Sequence, residues 1–181
     1  MRYDWAFLSD VYSDSIIHQI NRMAGILKSD SEDIPAPNVK KTAYVKPLRI
    51  NQFSPVLAPF VDSTLWLNRN YFGFDLFQIT ESDHINYNIY DSANNGEYSW
   101  HSDGYKDCPQ DIKLTAIVNV SEQEYEGGDL ELFINGVRVI DEIRKPGTVV
   151  IFPSYIQHRV TPVTKGRRIT ISKWLMGPNW K

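Results

Sequence analysis

The sequence predicts a mainly β protein, a jelly-roll sandwich of antiparallel strands preceded by supporting helices. Short alternating or β-branched runs fill the chain from Phe74 onward, turn dipeptides separate them, and helical spacing of apolar residues is confined to the first third. A helical start followed by about eight strands is typical of a sandwich with helices packed on one sheet. We expect one domain over residues 1–181, with a helical support region at 1–73 and the jelly-roll core at 74–181.

Two segments of the first third are predicted to be helices. Residues 13–28 repeat isoleucines such as Ile17 and Ile20 at helical spacing, and Ser13 or Asp14 is a suitable N-cap. Residues 54–70 form the second predicted helix, with Pro55 in its first turn. The polar stretch 29–38 between them contains prolines and predicts a loop.

Seven later runs predict strands because they alternate or are rich in β-branched and aromatic residues. In chain order they are FDLFQIT, HINYNIY, LTAIVNV, DLELFING, VRVID, GTVVIF and RRITISKWLM. Asn135-Gly136, between two such runs, predicts a tight hairpin. Gly127-Gly128 predicts a turn without a phosphate-binding role, because no helical pattern follows it.

Composition restricts the class of protein. The chain is 42% hydrophobic and 23% charged, which is ordinary for a globular domain. No apolar run reaches the roughly 18 residues of a membrane-spanning helix, and no signal peptide is expected. The single Cys108 excludes an intrachain disulfide framework and favours a reducing, cytoplasmic location. A net charge of −3 without a basic cluster argues against nucleic acid as a partner.

Two histidines and one aspartate have the pattern of a metal site. On an extended chain, side chains two residues apart point the same way, so His101 and Asp103 can converge on one ion. His158, in the segment FPSYIQHRV, supplies a second imidazole. Two histidines and one carboxylate on one face of an octahedral metal leave three positions open, which is the ligand set of non-haem Fe(II) oxygenases.

An arginine in the last predicted strand indicates an anionic ligand. By strand parity Arg168, Thr170, Ser172 and Trp174 share one face, opposite to Arg167. If that face is the interior, the buried guanidinium needs an anionic partner, and its planar fork matches a carboxylate. A dicarboxylate cosubstrate would supply the missing charge.

These pieces together resemble the prolyl-4-hydroxylase-like branch of the 2-oxoglutarate/Fe(II) oxygenases, especially PKHD-type hydroxylases. The matching stretches are Tyr90, YSWHSD at 98–103, YEGGDLELF at 125–133 and GTVVIFPSYIQHRVTPVTKGRRITISKW at 147–174. The resemblance covers roughly residues 86–177, and four separate pieces occur in the right order and spacing.

The resemblance implies a double-stranded β-helix that binds Fe(II) through His101, Asp103 and His158, with 2-oxoglutarate and O₂ as cosubstrates and ascorbate as a further candidate cofactor. It also implies a set of cosubstrate contacts: Arg168 on the far carboxylate of 2-oxoglutarate, Tyr90 reaching it, Ser172 and Trp174 lining its pocket, and Asn119 where many relatives carry an aromatic residue. Thr115 or Thr170 could substitute for that aromatic residue. Asp103 favours hydroxylation, because halogenating relatives lack the carboxylate.

Three functions are compatible with the sequence. The first is hydroxylation of a prolyl residue in a peptide or protein, with release of succinate and CO₂. The second keeps the chemistry but acts on a free amino acid or another small molecule. The third is a non-catalytic binding module with a relic metal site, since jelly-rolls also serve as binding domains. Nucleic-acid demethylation is disfavoured by the acidic charge balance.

Overall fold

The computed structural model describes residues 3–26, 40–80, 83–104 and 111–180. These residues form two α-helices and twelve strands: β1 (Ala6–Leu8), α1 (Asp14–Ile26), β2 (Tyr44–Arg49), α2 (Ile50–Leu67), β3 (His84–Asp91), β4 (Tyr98–His101), β5 (Asp111–Asn119), β6 (Glu126–Gly127), β7 (Leu130–Phe133), β8 (Val137–Val139), β9 (Val149–Pro153), β10 (His158–Val160), β11 (Val163–Lys165) and β12 (Arg167–Gly177). A π-helical turn follows α2 at Asn68–Phe72, and short 3₁₀ turns occupy Ser92–Asn94 and Asp141–Arg144.

Two antiparallel sheets face each other, which confirms the predicted jelly-roll sandwich. The larger sheet has the order β1-β9-β5-β12-β3-β2, the smaller one β4-β10-β7-β8, and β11 pairs with β6 at one side. Ile117 and Phe152 of the larger sheet pack with Leu130 and Leu132 of the smaller one in a single buried cluster. The space between the sheets is therefore the core into which site residues can project.

Both helices cover the outer face of the larger sheet, as the sequence predicts. Strand alternation sends Leu114, Ala116 and Val118 of β5 to this face, where they join Ile20 of α1 and Leu57 of α2 in one core cluster. The first predicted helix is confirmed as far as Ile26. Its last two residues and the predicted loop at 29–38 lie outside the described residues.

The first third of the chain contains more strand than predicted. β1 and β2 form the two edges of the larger sheet, so the description of residues 1–73 as a helical support region is incomplete. β1 was missed because three residues are too few to show an alternation, and β2 was missed because Pro47 within it argues against a strand. The division into one domain over residues 1–181 stays a prediction.

One predicted helix boundary and one predicted strand are wrong. α2 begins at Ile50, earlier than predicted, because β2 runs directly into it and the Ile50 amide is held by the Asp83 carbonyl at 3.0 Å. Pro55 thus lies inside the helix and does not mark its first turn. The run FDLFQIT is not a strand: the side chain of Asn68 bonds both backbone groups of Phe74, at 2.9 and 3.1 Å, and the Phe77 amide donates to the Met176 carbonyl at 2.8 Å.

The predicted turns are confirmed. Asn135 and Gly136 connect β7 to β8 with φ of 51° and 126°, values that Asn and Gly tolerate best. Gly127 and Gly128 also have left-handed φ, at 71° and 62°. In the part of the chain that the structure describes, no helix is long and apolar enough to cross a membrane.

Candidate metal and anion site

The sandwich brings His101, Asp103 and His158 together. His101 ends β4 and His158 begins β10, and these residues are register partners of one antiparallel pair. Asp103 lies just past the end of β4, where its amide donates to the Ser154 carbonyl at 3.0 Å. The three side chains are 5 to 8% exposed, and their ligand atoms all lie within 4.8 Å of one another.

Backbone carbonyls fix the orientation of both imidazoles. Nδ1 of His101 donates to the Ser99 carbonyl at 2.8 Å, and Nδ1 of His158 donates to the Ile156 carbonyl at 2.9 Å. A carbonyl oxygen only accepts, so each Nδ1 carries the hydrogen and each Nε2 keeps its lone pair. The Nε2 atoms lie 3.6 and 3.4 Å from the Asp103 carboxylate oxygens. This is the orientation that metal-binding histidines require.

The surroundings of His101 favour a neutral imidazole. Burial, helped by the nearby His158, lowers the pKa of His101 to about 4, so its ring is a neutral donor near pH 7. The Thr115 hydroxyl donates to Oδ2 of Asp103 and holds that carboxylate in place. Two imidazoles and one carboxylate form a donor set suited to a divalent transition metal.

Arg168 lies in the same interior, as strand parity predicts. It is only 1% exposed, and its Nε and Nη2 atoms have no hydrogen-bond partner among the described residues. Its guanidinium carbon lies 5.3 Å from the centre of the Tyr90 ring. Arg167 points outward and pairs with Asp91 at 2.5 Å. Burying a guanidinium without an anionic partner costs free energy of folding. An anion bound beside Arg168 would offset that cost by accepting hydrogen bonds from it.

One cavity joins the three-residue cluster to Arg168. Tyr90, Ser172 and Trp174, three residues that the family resemblance assigns to the cosubstrate, all line it. Thr115 and Thr170, the suggested substitutes for the missing aromatic residue, line it as well. The cavity wall thus carries the Asp103 carboxylate and the two imidazoles, and it also carries the Arg168 guanidinium.

Asn119 is not among the described residues that line this cavity, and its contact with the cosubstrate stays a prediction. Its amide nitrogen donates to the carbonyls of Ile143 and Arg144 at 2.8 and 3.0 Å, and its oxygen accepts from the Ser121 amide at 2.9 Å. This fully buried side-chain amide thus provides hydrogen-bond partners for buried backbone groups of Ile143, Arg144 and Ser121. Its role in the structure is to hold the 3₁₀ turn 141–144.

Asn119→Ala is expected to destabilise the fold, because it leaves two carbonyls and one amide without their buried partner. The free energy of unfolding should fall by about 2–4 kcal/mol, measured by chemical denaturation. The exposed Asn51 provides the control, and Asn51→Ala should change stability by less than about 0.5 kcal/mol. Equal stability of the two variants would contradict the role assigned to Asn119.

Sequence reasoning missed Lys41 as part of the site. Lys41 lines the cavity, and its Nζ lies 4.6 Å from the centre of the Tyr98 ring. That ring stacks on His101 with centroids 3.6 Å apart. Lys41 is far from the metal ligands in the sequence, and no local pattern marks it. Only the tertiary fold shows that it lines the cavity. Trp100, the other aromatic residue flanking the ligands, faces Phe133 at 6.1 Å.

Comparisons with known proteins agree with this geometry. The family model of the 2OG-Fe(II) oxygenase superfamily matches residues 85–176. A PKHD-type hydroxylase of Synechococcus sp. (strain CC9605) is 34% identical over 80 residues, which are 43% of this chain and 36% of the relative. The PKHD-type hydroxylase YbiX of Shigella sonnei (strain Ss046) is 36% identical over 89 residues, 45% of this chain and 39% of the relative. The chain therefore spans little more than a third of the length of these relatives.

Solved structures share the fold over almost the whole chain. A prolyl-4-hydroxylase from Pseudomonas putida has a TM-score of 0.74 at 16% identity, covering 98% of this chain and 94% of the other. A viral collagen prolyl hydroxylase from Paramecium bursaria Chlorella virus-1 has a TM-score of 0.72 at 17% identity, covering 97% of each chain. At such identity the likeness concerns the fold, which is the double-stranded β-helix expected from the sequence.

Proposed function

The chain belongs to the 2OG-Fe(II) oxygenase superfamily, and from that premise we propose that it is an iron(II)- and 2-oxoglutarate-dependent dioxygenase that hydroxylates a prolyl residue in a peptide or protein. The proposal is supported by the buried Arg168, which lies in the same cavity as the His101, Asp103 and His158 cluster and has two nitrogens without a hydrogen-bond partner among the described residues. A metal alone would leave that guanidinium without an anion. A dicarboxylate that reaches from the metal to Arg168 satisfies both ends.

The donor set fits iron. In the proposed holoenzyme, His101 and His158 would bind through Nε2, and Asp103 would bind through a carboxylate oxygen. Three ligands on one face leave positions for a bidentate cosubstrate and for O₂. With iron and 2-oxoglutarate bound, the centre supplies the oxidation of 2-oxoglutarate to succinate and CO₂ that is coupled to hydroxylation of a substrate C–H bond.

The chain itself would contribute position, charge and shelter from water. The Ser99 and Ile156 carbonyls hold the two imidazoles, and Thr115 holds the Asp103 carboxylate, so the ligands are preorganised before the metal binds. Arg168 would fix the far carboxylate of the cosubstrate through two charge-assisted hydrogen bonds. The burial of all these groups makes each electrostatic contact stronger than it would be in water.

The substrate class rests on the relatives. The curated relatives are named PKHD-type hydroxylases. Several of the similar structures are prolyl hydroxylases, one of them in complex with a peptide fragment from Trichoplax adhaerens. These names support a prolyl residue in a peptide as the first substrate to test. A mass shift of one oxygen on proline-containing peptides, measured beside free proline and other amino acids, separates this substrate class from the small-molecule alternative.

Anaerobic titration tests the reaction class. We expect 2-oxoglutarate to bind tightly to the Fe(II)-loaded protein and weakly to the metal-free protein, because the metal and Arg168 hold opposite ends of the cosubstrate. On admission of air, succinate should appear. Iron binding without 2-oxoglutarate affinity would remove the proposal and favour the alternative of a binding module with a relic metal site.

Gly128→Ala is expected to weaken 2-oxoglutarate binding through Arg168. A Cβ at Gly128 would lie 3.0 Å from Cδ of Arg168 and 2.9 Å from Cγ2 of Val163, so the guanidinium has to shift. The backbone cost of alanine at this φ of 62° is about 1 kcal/mol. We expect the 2-oxoglutarate affinity to fall by about tenfold, the effect of one lost hydrogen bond to a charged group.

Gly73→Ala is the matched control. Gly73 has a similar φ of 68°, and nothing lies within 4 Å of its Cβ position, so this variant should pay the backbone cost and keep the affinity. Thermal unfolding measures the backbone cost in both variants, and anaerobic calorimetry measures the affinity. If both variants lose the same affinity, contact between Gly128 and Arg168 does not explain the effect.

A further inference from the structure

A second cavity, walled by aromatic rings, lies beside the candidate site. Its volume is about 570 Å³, and Tyr3, Tyr71, Tyr155 and Trp180 line it together with Phe72 and Phe74. The first four are 36 to 56% exposed. Exposed aromatic rings gathered in one concave surface are unusual for a region that only packs a core, and they indicate a binding surface.

One carboxylate sets the charge of this cavity. Among the described residues that line it, Asp4 is the charged one, and the ion pairs found between described residues do not involve it. The nearby Lys113 is not in the lining and already faces Asp111 at 3.4 Å. Asp4 therefore has no ion-pair partner among the described residues, and a cation is the complementary ligand.

Trp180 already takes part in a cation–π contact. Nζ of Lys113 lies 3.5 Å from the centre of its ring, and the Tyr155 ring meets Trp180 edge to face at a centroid distance of 6.2 Å. The faces of Trp and Tyr attract ammonium and guanidinium groups. A surface of aromatic faces next to a carboxylate should bind a positively charged side chain more tightly than a neutral side chain of the same length.

The wall between this cavity and the metal ligands is one short segment. Pro153 and Tyr155 line the aromatic cavity. Between them, the Ser154 carbonyl accepts the Asp103 amide at 3.0 Å, and the Tyr155 carbonyl accepts the Ser102 hydroxyl at 3.3 Å. The backbone of residues 153–155 thus contacts the segment that carries Asp103 on one side and lines the aromatic cavity on the other.

We propose that the aromatic cavity binds a lysine or arginine side chain of the peptide substrate, close to the residue that is hydroxylated. This inference rests on the proposed function, and it adds a substrate preference that the metal centre alone does not provide. An apolar side chain would contact the rings but would leave Asp4 without a partner. The cavity thus selects basic sequences near the target residue.

Indole NMR signals test the inference without turnover. The ¹⁵N-labelled full chain is titrated with N-acetyl-lysine methylamide and, separately, with N-acetyl-norleucine methylamide, which has a neutral side chain of similar length. The Trp180→Phe variant identifies the Trp180 signal among those of the five tryptophans. We expect a saturable shift of that signal with the lysine compound and an at least fivefold weaker response to the norleucine compound, the size of an exposed cation–π contact reinforced by a carboxylate.

Asp4→Asn should weaken binding of the lysine compound by about threefold to fivefold. Asp62→Asn, at an exposed carboxylate on α2 outside the cavity, should leave it unchanged. Equal responses to the lysine and norleucine compounds, or an unchanged affinity in Asp4→Asn, would overturn the inference. Both variants are exposed substitutions, so folding is not at risk.

The failure of this inference is separable from failure of the proposed function. Anaerobic 2-oxoglutarate titration of Asp4→Asn should give the wild-type affinity, because the cavity lies outside the cosubstrate pocket. If 2-oxoglutarate binds normally and the lysine compound does not, only the cation site is wrong. If the lysine compound binds and 2-oxoglutarate does not, the oxygenase assignment is wrong while the cation site stands as a surface property.

Discussion

His158→Ala is expected to abolish Fe(II) binding in the measurable range and, with it, succinate formation. Loss of a partner that only orients a metal ligand already costs about 10- to 100-fold in affinity, so loss of a ligand itself should cost on the order of 100-fold or more. The remaining pair of His101 and Asp103 cannot cap one face of an octahedron. Anaerobic titration with Fe(II), followed by the aerobic succinate assay, measures both effects.

The matched control is His84→Ala, at an exposed histidine at the start of β3, which should keep full iron affinity. Because His158 is buried and its ring meets Phe152 at 4.8 Å, circular dichroism has to show that the variant is folded. His101→Ala, at a less deeply buried ligand, gives a second route to the same loss. Wild-type iron affinity in a folded His158→Ala protein would contradict the assigned ligand set.

Arg168→Met is expected to lower the affinity for 2-oxoglutarate by about 100-fold, which corresponds to two charge-assisted hydrogen bonds worth roughly 1.5 kcal/mol each. Methionine fills similar volume without charge, so the pocket keeps its shape. Iron affinity should change by less than about twofold, because the guanidinium belongs to the other part of the cavity. Calorimetric titration of Fe(II) and then 2-oxoglutarate separates the two affinities.

Arg167→Met, one residue away but exposed and paired with Asp91, is the control and should bind 2-oxoglutarate like the wild type. The thermal midpoint gives an independent measurement. When 2-oxoglutarate is added to the Fe(II)-loaded protein, the midpoint should rise further in the wild type and in Arg167→Met, and much less in Arg168→Met. Equal losses in both arginine variants would mean that the anion binds through general positive charge and not through the buried fork.

The metal cluster and Arg168 could be predicted because they depend on local rules. The two-residue spacing of His101 and Asp103 and the strand parity of Arg168 follow from the geometry of an extended chain. The jelly-roll sandwich followed from the alternating runs and from turn signals such as Asn135-Gly136. In each case a short stretch of sequence contained the information that the structure uses.

The features that sequence reasoning missed depend on contacts between distant segments. The Ile50 amide at the start of α2 donates to the distant Asp83 carbonyl, and the Asn68 side chain bonds the backbone of Phe74 at the start of the run that forms no strand. Asn119 occupies the position suggested by the resemblance, yet its amide is used by the turn 141–144. Lys41 reaches the pocket from another part of the chain, and no pattern in its own neighbourhood indicates this.

The aromatic cavity illustrates the same limit. Its rings come from both ends of the described chain, with Tyr3 at one end and Trp180 at the other. In the sequence, nothing distinguishes these aromatic residues from those that pack in a core, so no binding role is predicted for them. Only their exposure and their position beside Asp4 distinguish them from core residues.

One metal ion and one dicarboxylate are expected to bind together in the cavity that His101, Asp103, His158 and Arg168 line. An anomalous difference map at the iron edge, from crystals grown anaerobically with Fe(II) and 2-oxoglutarate, tests it most directly. We predict one iron peak in contact with Nε2 of His101, Nε2 of His158 and the Asp103 carboxylate, with the far carboxylate of 2-oxoglutarate on the Arg168 guanidinium. Iron bound elsewhere, or 2-oxoglutarate bound without contact to Arg168, would contradict the assignment.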